Sequence, residues 1–198
     1  VTYYHIDDSR GQKALREFFI EAYDGVLVTD FFAVYNRVLC HKRQMCLVHL
    51  LRDLETVDQR NGSDDWVAFR KSLKRLLKDA IRLWKRDSVP PDEFTSKRKR
   101  LDARLKDLID GRYRDPDAKR LAQRLKKHRH NLFTFLDEPG VPFDNNHAER
   151  EIRPAVLMRK NSLHNMSDEG ALVQSMLMTV FRTLKRRGLN PVNTVVDA

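Results

Sequence analysis

Long apolar runs are absent from this sequence. No stretch approaches the roughly 18 consecutive apolar residues that a membrane-spanning helix needs, so we expect no membrane partner. Cysteine is scarce, with only Cys40 and Cys46 in 198 residues, which excludes a disulfide framework and favours a reducing cytoplasm. An initiator methionine is missing, and residues 1–6 lack the basic start of a signal peptide. We therefore expect a fragment of a longer cytoplasmic protein.

Basic residues are abundant. The formal net charge is +10 and the pI is near 9.8, which indicates a polyanionic partner, with nucleic acid ahead of a membrane. A basic but otherwise ordinary protein has the same balance. Hydrophobic residues make up 41% of the chain and aromatic residues 9%, so the chain can bury a core and general disorder is excluded.

The first 57 residues have the pattern of an α/β fold. Two β-prone segments, 1–6 and 26–30, lie on either side of apolar residues at helical spacing. The second segment is a short apolar run that ends in an acid, which is typical of a buried strand. The predicted order is strand, helix, strand, helix, strand, at residues 1–6, 14–22, 26–30, 31–37 and 44–49. We predict that this part is a β-α-β-α-β unit.

Residues 58–140 change to charged, amphipathic helix. An apolar stripe over 66–84, with Ser63 as its N-cap, predicts the first helix. A second helix covers 101–109, and Asp115-Pro116 starts a third. We predict an all-helical insertion of roughly 80 residues inside an α/β domain.

Residues 141–198 contain two further predicted helices. Asn146 caps the first, which we expect Pro154 to end. Ser167 caps the second, and Gly188 marks its C-terminal end. The predicted organisation is therefore a core split by the insertion, with its parts at 1–57 and 141–198.

Two acidic residues stand out by position. Asp30 follows a buried strand, and open α/β sheets place functional groups at the carboxyl ends of their strands. Glu149 lies in the first turn of a predicted helix. Each has a structural alternative, because Asp30 can begin the next turn or cap the next helix, and Glu149 can complete a capping box with Asn146.

Three blocks of the sequence resemble the insertion-sequence-66 family of DDE transposases. The late block is Asp144-Asn-Asn-His-Ala-Glu149-Arg-Glu-Ile-Arg153-Pro154, followed by Arg159-Lys160-Asn161-Ser162 and Gly170-Ala171. The block around the second acid of that family is similar to Gly25-Val-Leu-Val-Thr-Asp30-Phe-Phe-Ala-Val-Tyr35-Asn36. The third is similar to Cys46-Leu-Val-His49-Leu-Leu-Arg52. The resemblance spans nearly the whole chain and implies an RNase H-like core.

The resemblance implies that Asp30 and Glu149 are the second and third catalytic acids and ligands of two Mg²⁺ or Mn²⁺ ions. Such hard cations prefer carboxylate oxygens, and they neutralise charge on the attacking and leaving oxygens of phosphodiester cleavage. A DDE site needs a third acid, on the first strand of the sheet. Asp7 and Asp8 follow what corresponds to the third strand, so we assign that role to neither, and we expect this site to be incomplete.

The implied partner is DNA, both transposon ends and target, with the protein acting as a homo-oligomer at the bacterial nucleoid. Basic residues near the late block are candidates for bidentate or point contacts with phosphate, and two residues of the third block are candidates to touch DNA or support the site. The candidate DNA-binding residues are Arg150, Arg153, Arg159, Lys160, His49 and Arg52. Further basic clusters lie in the insertion at 97–100, 119–120 and 124–130, where solvated helix faces are the alternative.

Other readings remain open at this point. Cys46 and His49, together with Cys40 and His41, have spacings that permit zinc ligation, although a structural zinc site needs four suitably placed ligands. The alternatives to a transposase are a non-catalytic nucleic-acid-binding remnant and an RNase H-like nuclease without strand transfer. An aspartate on a preceding apolar strand would distinguish the first alternative, and strand-transfer products the second.

Overall fold

A computed structural model describes residues 1–9, 11–85, 88–162 and 165–196. The elements in chain order are α1 (Gln12–Phe18), β1 (Tyr23–Thr29), a 3₁₀ turn (Ala33–Arg37), β2 (Cys40–Met45), α2 (Leu47–Asp58), α3 (Asp64–Trp84), α4 (Pro91–Asp110), α5 (Pro116–His128), a 3₁₀ turn (Arg129–Asn131), α6 (Thr134–Asp137), α7 (Asn146–Ser162), α8 (Asp168–Arg186) and α9 (Pro191–Val196). Among these residues, every helix is too short or too polar to cross a bilayer. The chain is thus a mixed α/β protein with mostly helical content.

The sheet in the described residues has two parallel strands. β1 pairs with β2, with Val28 opposite Gln44 and Thr29 opposite Met45. The strand predicted at 44–49 was placed too late, since β2 ends at Met45 and a helix begins at Leu47. This small sheet is consistent with an α/β class, and the RNase H-like assignment of the core remains a prediction.

The strand predicted at residues 1–6 was wrong, because this segment bonds to a helix and not to another strand. The segment is extended, and Thr2 and Tyr4 are buried between exposed neighbours, but it has no strand partner among the described residues. Instead its alternate N–H groups donate to hydroxyls spaced four residues apart on α8. The pairs are Thr2 N to Thr183 Oγ1 at 3.2 Å, Tyr4 N to Thr179 Oγ1 at 3.0 Å, and Ile6 N to Ser175 Oγ at 3.2 Å. Side-chain hydroxyls on a helix thus satisfy the backbone groups that a neighbouring strand would otherwise satisfy.

The predicted helical block is confirmed, and α3 lies at its centre. The apolar stripe of α3 is buried from Trp66 to Leu77, whereas Ile81 is half-buried and Trp84 is exposed, and the helix packs against α2, α4, α5 and α6. Its predicted N-cap is also confirmed, because Ser63 Oγ accepts a hydrogen bond from Trp66 N at 3.3 Å. Removing this stripe from water supplies most of the driving force for the packing of these helices.

Gln44 ties β2 to the end of the helical block. Its side chain is fully buried. Its Nε2 donates to the carbonyls of Met45 and Leu132, at 2.7 and 3.1 Å, and its Oε1 accepts from Phe135 N at 2.9 Å. Because each polar atom of the amide has a partner, burial carries no unsatisfied group. The segment before α6 is therefore held to the strand by side-chain hydrogen bonds.

Asp115 joins the loops at one end of the helical block. Its Oδ1 accepts from the N–H groups of Asp117 and Ala118, both at 2.9 Å, and caps α5. Its Oδ2 accepts from Asn61 Nδ2 at 2.9 Å and from Ser63 Oγ at 2.8 Å. Burial alone would raise the pKa of Asp115, but these four donors outweigh it and lower the pKa.

Asp117 extends this network. Arg60 donates to its carboxylate at 2.7 Å and Asn61 at 3.1 Å. The hydrogen bond from Arg60 is the main reason why the pKa of Asp117 is lowered. One carboxylate pair thus connects the α2–α3 loop with the first turn of α5.

The chain divides into two compact units. One contains residues 22–33 and 39–145, and the other contains residues 1–21, 34–38 and 146–198. The first unit combines β1 with β2, α2 and the helical block, and the last three share one continuous core. The predicted division into parts at 1–57, 58–140 and 141–198 stays a prediction.

We expect Asp115→Ala to lower the free energy of unfolding by about 1–2 kcal/mol at pH 7, because it removes a helix cap and leaves buried donors without an acceptor. A lowered native pKa contributes stability above the unfolded pKa of roughly 3.9, and this is lost as the pH falls through the native value. The difference from wild type should therefore shrink below about pH 4. Urea denaturation followed by circular dichroism measures both. Asp110→Ala, at an exposed position on α4, is the control, and a difference independent of pH would contradict the prediction.

Candidate active site

Asp30 lies immediately after β1 and is half-buried. Its Oδ1 accepts a hydrogen bond from Phe32 N at 3.0 Å. Asp30 therefore begins the next turn, one of its two structural alternatives, and this contact occupies one carboxylate oxygen. Oδ2 remains for another role, so the turn contact and metal ligation are compatible at this residue.

The turn that begins with Asp30 packs against the end of α5. The Phe31 ring meets the His128 ring edge-to-face at 5.4 Å between centroids, and the Arg124 guanidinium lies 5.3 Å from the centroid of Phe31. Burial lowers the pKa of His128, and the nearby charges of Lys127 and Arg124 lower it further. The helical block thus supports the residues beside Asp30, a link that the sequence patterns did not predict.

Cys46 is buried between β2 and α2, beside the candidate acid. Its N–H donates to the carbonyl of Thr29 at 2.7 Å, and its Sγ accepts from Asn145 N at 3.4 Å. Burial raises the pKa of the Cys46 thiol, against the opposing effect of nearby N–H groups. A protonated, enclosed thiol is a poor zinc ligand, since zinc binds the thiolate.

The other members of the zinc hypothesis are dispersed. Cys40 and His41 begin β2, whereas His49 lies in the first turn of α2. Within the part of the chain that the structure describes, His5, Asp7 and Glu17 are the only group of three or more potential ligands, with ligand atoms within 4.8 Å of one another. The structure therefore supports packing for Cys46 and gives no zinc site at these positions. Asp30 and Glu149 also lie outside that group.

His49 and Arg52 occupy one face of α2, three residues apart. His49 is half-buried and Arg52 is exposed. Because positions i and i+3 are neighbours on a helix, these two side chains can act together. Their contact with DNA stays a prediction.

Glu149 lies in the first turn of α7, as predicted, and is half-buried. The helix itself is longer than predicted, because it continues through Pro154 to Ser162. Proline removes one N–H, the donor to the Arg150 carbonyl, but the flanking turns keep the helix. The sequence predicted that Pro154 would end the helix, and this prediction was wrong.

The two glutamates of the late motif, Glu149 and Glu151, differ in their surroundings. Oε2 of Glu151 accepts from Arg182 Nη2 at 3.1 Å and from Thr2 Oγ1 at 3.3 Å, and the carbonyl of Glu151 accepts from Tyr4 Oη. Successive helical residues are about 100° apart, so Glu149 points roughly 200° away from Glu151. Glu151 is thus a structural residue, and Glu149 lies on the other side of the helix.

Basic side chains share the Glu149 side of α7. A shallow depression there is lined by Asn146, Glu149, Arg150, Ile152, Arg153 and Val156. Arg153, at i+4 from Glu149, and Lys160, at i+11, continue the same face. Arg150, Arg153, Arg159 and Lys160 are all exposed. The face therefore combines one carboxylate with several cations, as a phosphate-cleaving site requires.

The candidate acids fall in different compact units, Asp30 with the sheet and Glu149 with α7. Each presents carboxylate oxygen, the donor type that Mg²⁺ and Mn²⁺ prefer. Their chemistry fits a divalent-ion site. A shared site between them stays a prediction.

Comparison with known proteins gives consistent similarities. Residues 1–172 match a family model described as Transposase IS66 family. The uncharacterised protein y4jO of Sinorhizobium fredii is 33% identical over 186 residues, which cover 84% of this chain and 50% of that protein. The uncharacterised protein y4qI of the same organism is 25% identical over 213 residues, covering 96% of this chain and 38% of that protein. The chain thus spans half or less of the length of these relatives. No solved structure matches it significantly.

We expect Glu151→Gln to destabilise the protein by about 1–2 kcal/mol, because it leaves Arg182 without its charged partner. Glu149→Gln should destabilise the protein by less than Glu151→Gln does, since Glu149 lines a shallow open depression on α7. Thermal denaturation of the two variants measures the contrast. Equal destabilisation would contradict the separate roles.

We expect Cys46 to resist thiol-labelling reagents in the native state, because it is buried and its pKa is raised. Cys40 is partly exposed and should react. Mass spectrometry should find one label per native chain and two in urea. Labelling of Cys46 at the rate of Cys40 would contradict the buried thiol.

Proposed function

Since the chain belongs to the IS66 family of transposases, we propose that it is a catalytic segment of a DNA transposase. In this proposal Asp30 and Glu149 are two of three carboxylates that bind divalent ions for DNA cleavage and strand transfer. The third carboxylate is proposed to lie outside these 198 residues, in the part of the longer relatives that this chain does not cover.

The observation that carries the proposal is the position of Cys46 between the two motifs. Its N–H binds the carbonyl of Thr29, next to Asp30, and its sulfur binds the N–H of Asn145. Glu149 follows Asn145 by four residues. The two motifs that carry the candidate acids thus each include a residue that Cys46 contacts, which supports the proposal that the two acids act together.

The residues would divide the work as follows. The Asp30 carboxylate is oriented in advance by Phe32 N–H, so less conformational freedom is lost when it binds a cation. When bound, the divalent ions neutralise charge on the attacking and leaving oxygens. Arg153 and Lys160, on the Glu149 side of α7, would hold the phosphates next to the cleaved bond, with Arg150 and Arg159 beside them. His49 and Arg52 would contact DNA from α2.

The proposed partners are transposon ends and target DNA, and the proposed active form is a homo-oligomer working at the bacterial nucleoid. A non-catalytic nucleic-acid-binding module is the second candidate. The observation in its favour is that neither Asp30 nor Glu149 belongs to a three-ligand cluster among the described residues.

The test is Mn²⁺-dependent nicking of supercoiled plasmid by this chain extended upstream to the length of its relatives. The plasmid should carry the DNA that flanks the gene, so that the element's own ends are present. We expect nicking by the extended protein, and a loss of more than about 100-fold in Asp30→Asn and Glu149→Gln, because each removes a metal-binding charge.

Two variants serve as matched controls. Asp24→Asn changes an exposed acid on β1, and Glu151→Gln, assayed below its melting temperature, changes the structural glutamate of α7. Both should keep nicking. Equal activity in all preparations would indicate a contaminant, and silence in all of them would favour the binding module. Strand-transfer products distinguish a transposase from a nuclease of similar fold.

A further inference from the structure

A straight row of basic side chains runs along the outer face of α3. We call it the α3 row, and it consists of Lys71, Arg75, Lys78 and Arg82. All four side chains are exposed. Intervals of four, three and four residues keep them within one narrow strip of a helix. The sequence patterns did not single out this row, because its members are separated along the chain by residues of mixed type, among them Ser72, Lys74 and Asp79.

The α3 row keeps its positive charge. The adjacent acid, Asp79, is bound by Arg104 at 2.8 Å and by Arg82 at 3.4 Å. Lys71, Arg75 and Lys78 form no ion pair with any residue in the described part of the chain. Three cations are therefore available to an external partner.

The basic clusters predicted from the sequence differ in this respect. Arg98 is paired with Asp102 and Asp137, and Lys97 with Glu93. Arg120 is paired with Asp117, and Arg124 with Asp53. Four of the ten Lys and Arg side chains in those clusters are thus paired within the described part of the chain, whereas Arg82 is the one paired member of the α3 row.

The α3 row is also rigidly held. The opposite face of α3 is buried in the core, with Leu73, Leu76, Leu77 and Ala80 at 0% exposure. From Lys71 to Arg82 the row is about 16 Å long at 1.5 Å per residue. Phosphates of one DNA strand follow one another every 3.4 Å along the helix axis, so this length corresponds to roughly five phosphates.

Three other kinds of partner fit less well. A membrane-surface helix needs apolar side chains that can enter lipid, but the apolar face of α3 is already buried. A protein interface needs aromatic or aliphatic anchors at its centre, and single-stranded nucleic acid needs aromatic stacking platforms. The α3 row contains neither. Duplex DNA, bound through its backbone, is the polyanion that matches it.

We propose that the α3 row binds the phosphate backbone of duplex DNA without reading base sequence, in addition to the residues of α7. The proposal takes from the proposed function only that the partner is DNA. A contact of this kind fixes the position of DNA and carries no direct sequence information.

The test is binding of a fluorescently labelled 20-base-pair duplex of random sequence, followed by anisotropy over a range of KCl concentrations. Each phosphate contact contributes about 0.9 to the slope of log K against log salt. The triple variant Lys71→Ala/Arg75→Ala/Lys78→Ala should therefore lower the magnitude of this slope by about 2.7. Alanine favours helix, and circular dichroism checks that α3 remains folded.

The matched control is Lys99→Ala/Arg100→Ala/Lys106→Ala, which removes the same charge from exposed positions on α4. Its slope should stay close to wild type. Equal losses in the two triples, an unchanged slope in the α3 triple, or no duplex binding by wild type would each overturn the proposal. Tighter binding of a single-stranded oligonucleotide with the same dependence on the α3 row would overturn the choice of duplex.

The two proposals fail separately. Asp30→Asn and Glu149→Gln should keep the wild-type salt slope even where they abolish nicking. The α3 triple at low salt should still nick, because its residues are not placed at the metal-binding acids. If the α3 triple leaves the salt slope unchanged while Asp30→Asn and Glu149→Gln abolish nicking, the proposal for the α3 row is overturned and the catalytic proposal is kept.

Discussion

The burial of one amide, that of Gln44, is the constraint on which the arrangement around Asp30 depends. A buried amide without partners costs about 1–3 kcal/mol for each unsatisfied group, so the side chain can be buried only where donors and acceptors already surround it. Leu132 and Phe135 supply them. This fixes β2 against the helical block, β2 fixes β1 by register, and β1 ends at Thr29, next to Asp30. The candidate acid is thus positioned through hydrogen bonds that join Gln44 to residues about 90 positions after it.

The helical block therefore has two roles. It shares one core with β2 and α2, so it supports the turn at Asp30 through Phe31 and His128. It also carries, on α3, a charged face directed away from that core. Under the two proposals above, the helical block would both support the site at Asp30 and extend the surface that contacts DNA.

Local signals predicted much of this structure. Ser63, Asp115-Pro116 and the apolar stripe of α3 act within one or two helical turns, so their effects can be read from neighbouring residues. The motif around Glu149 was likewise visible. The predictions for Pro154 and for residues 1–6 were wrong. A proline predicts the end of a helix and a β-prone segment predicts a strand, and the sequence does not show the distant partners that change these outcomes. The roles of Glu151 and of the α3 row depend on which acids lie nearby in space, and spacing along the chain does not reveal that.

The hydroxyl row of α8, Ser175, Thr179 and Thr183, has a consequence for the order of folding. These side chains hold residues 2, 4 and 6, so a segment synthesised early is bound by residues that lie 169 to 181 positions later along the chain. The unit with the sheet lies almost entirely in one continuous stretch and can form while synthesis continues. The other unit joins residues 1–21 to residues 146–198 and closes only when α8 is complete, since contacts of such long range form slowly. Until then, residues 1–6 are open to other partners.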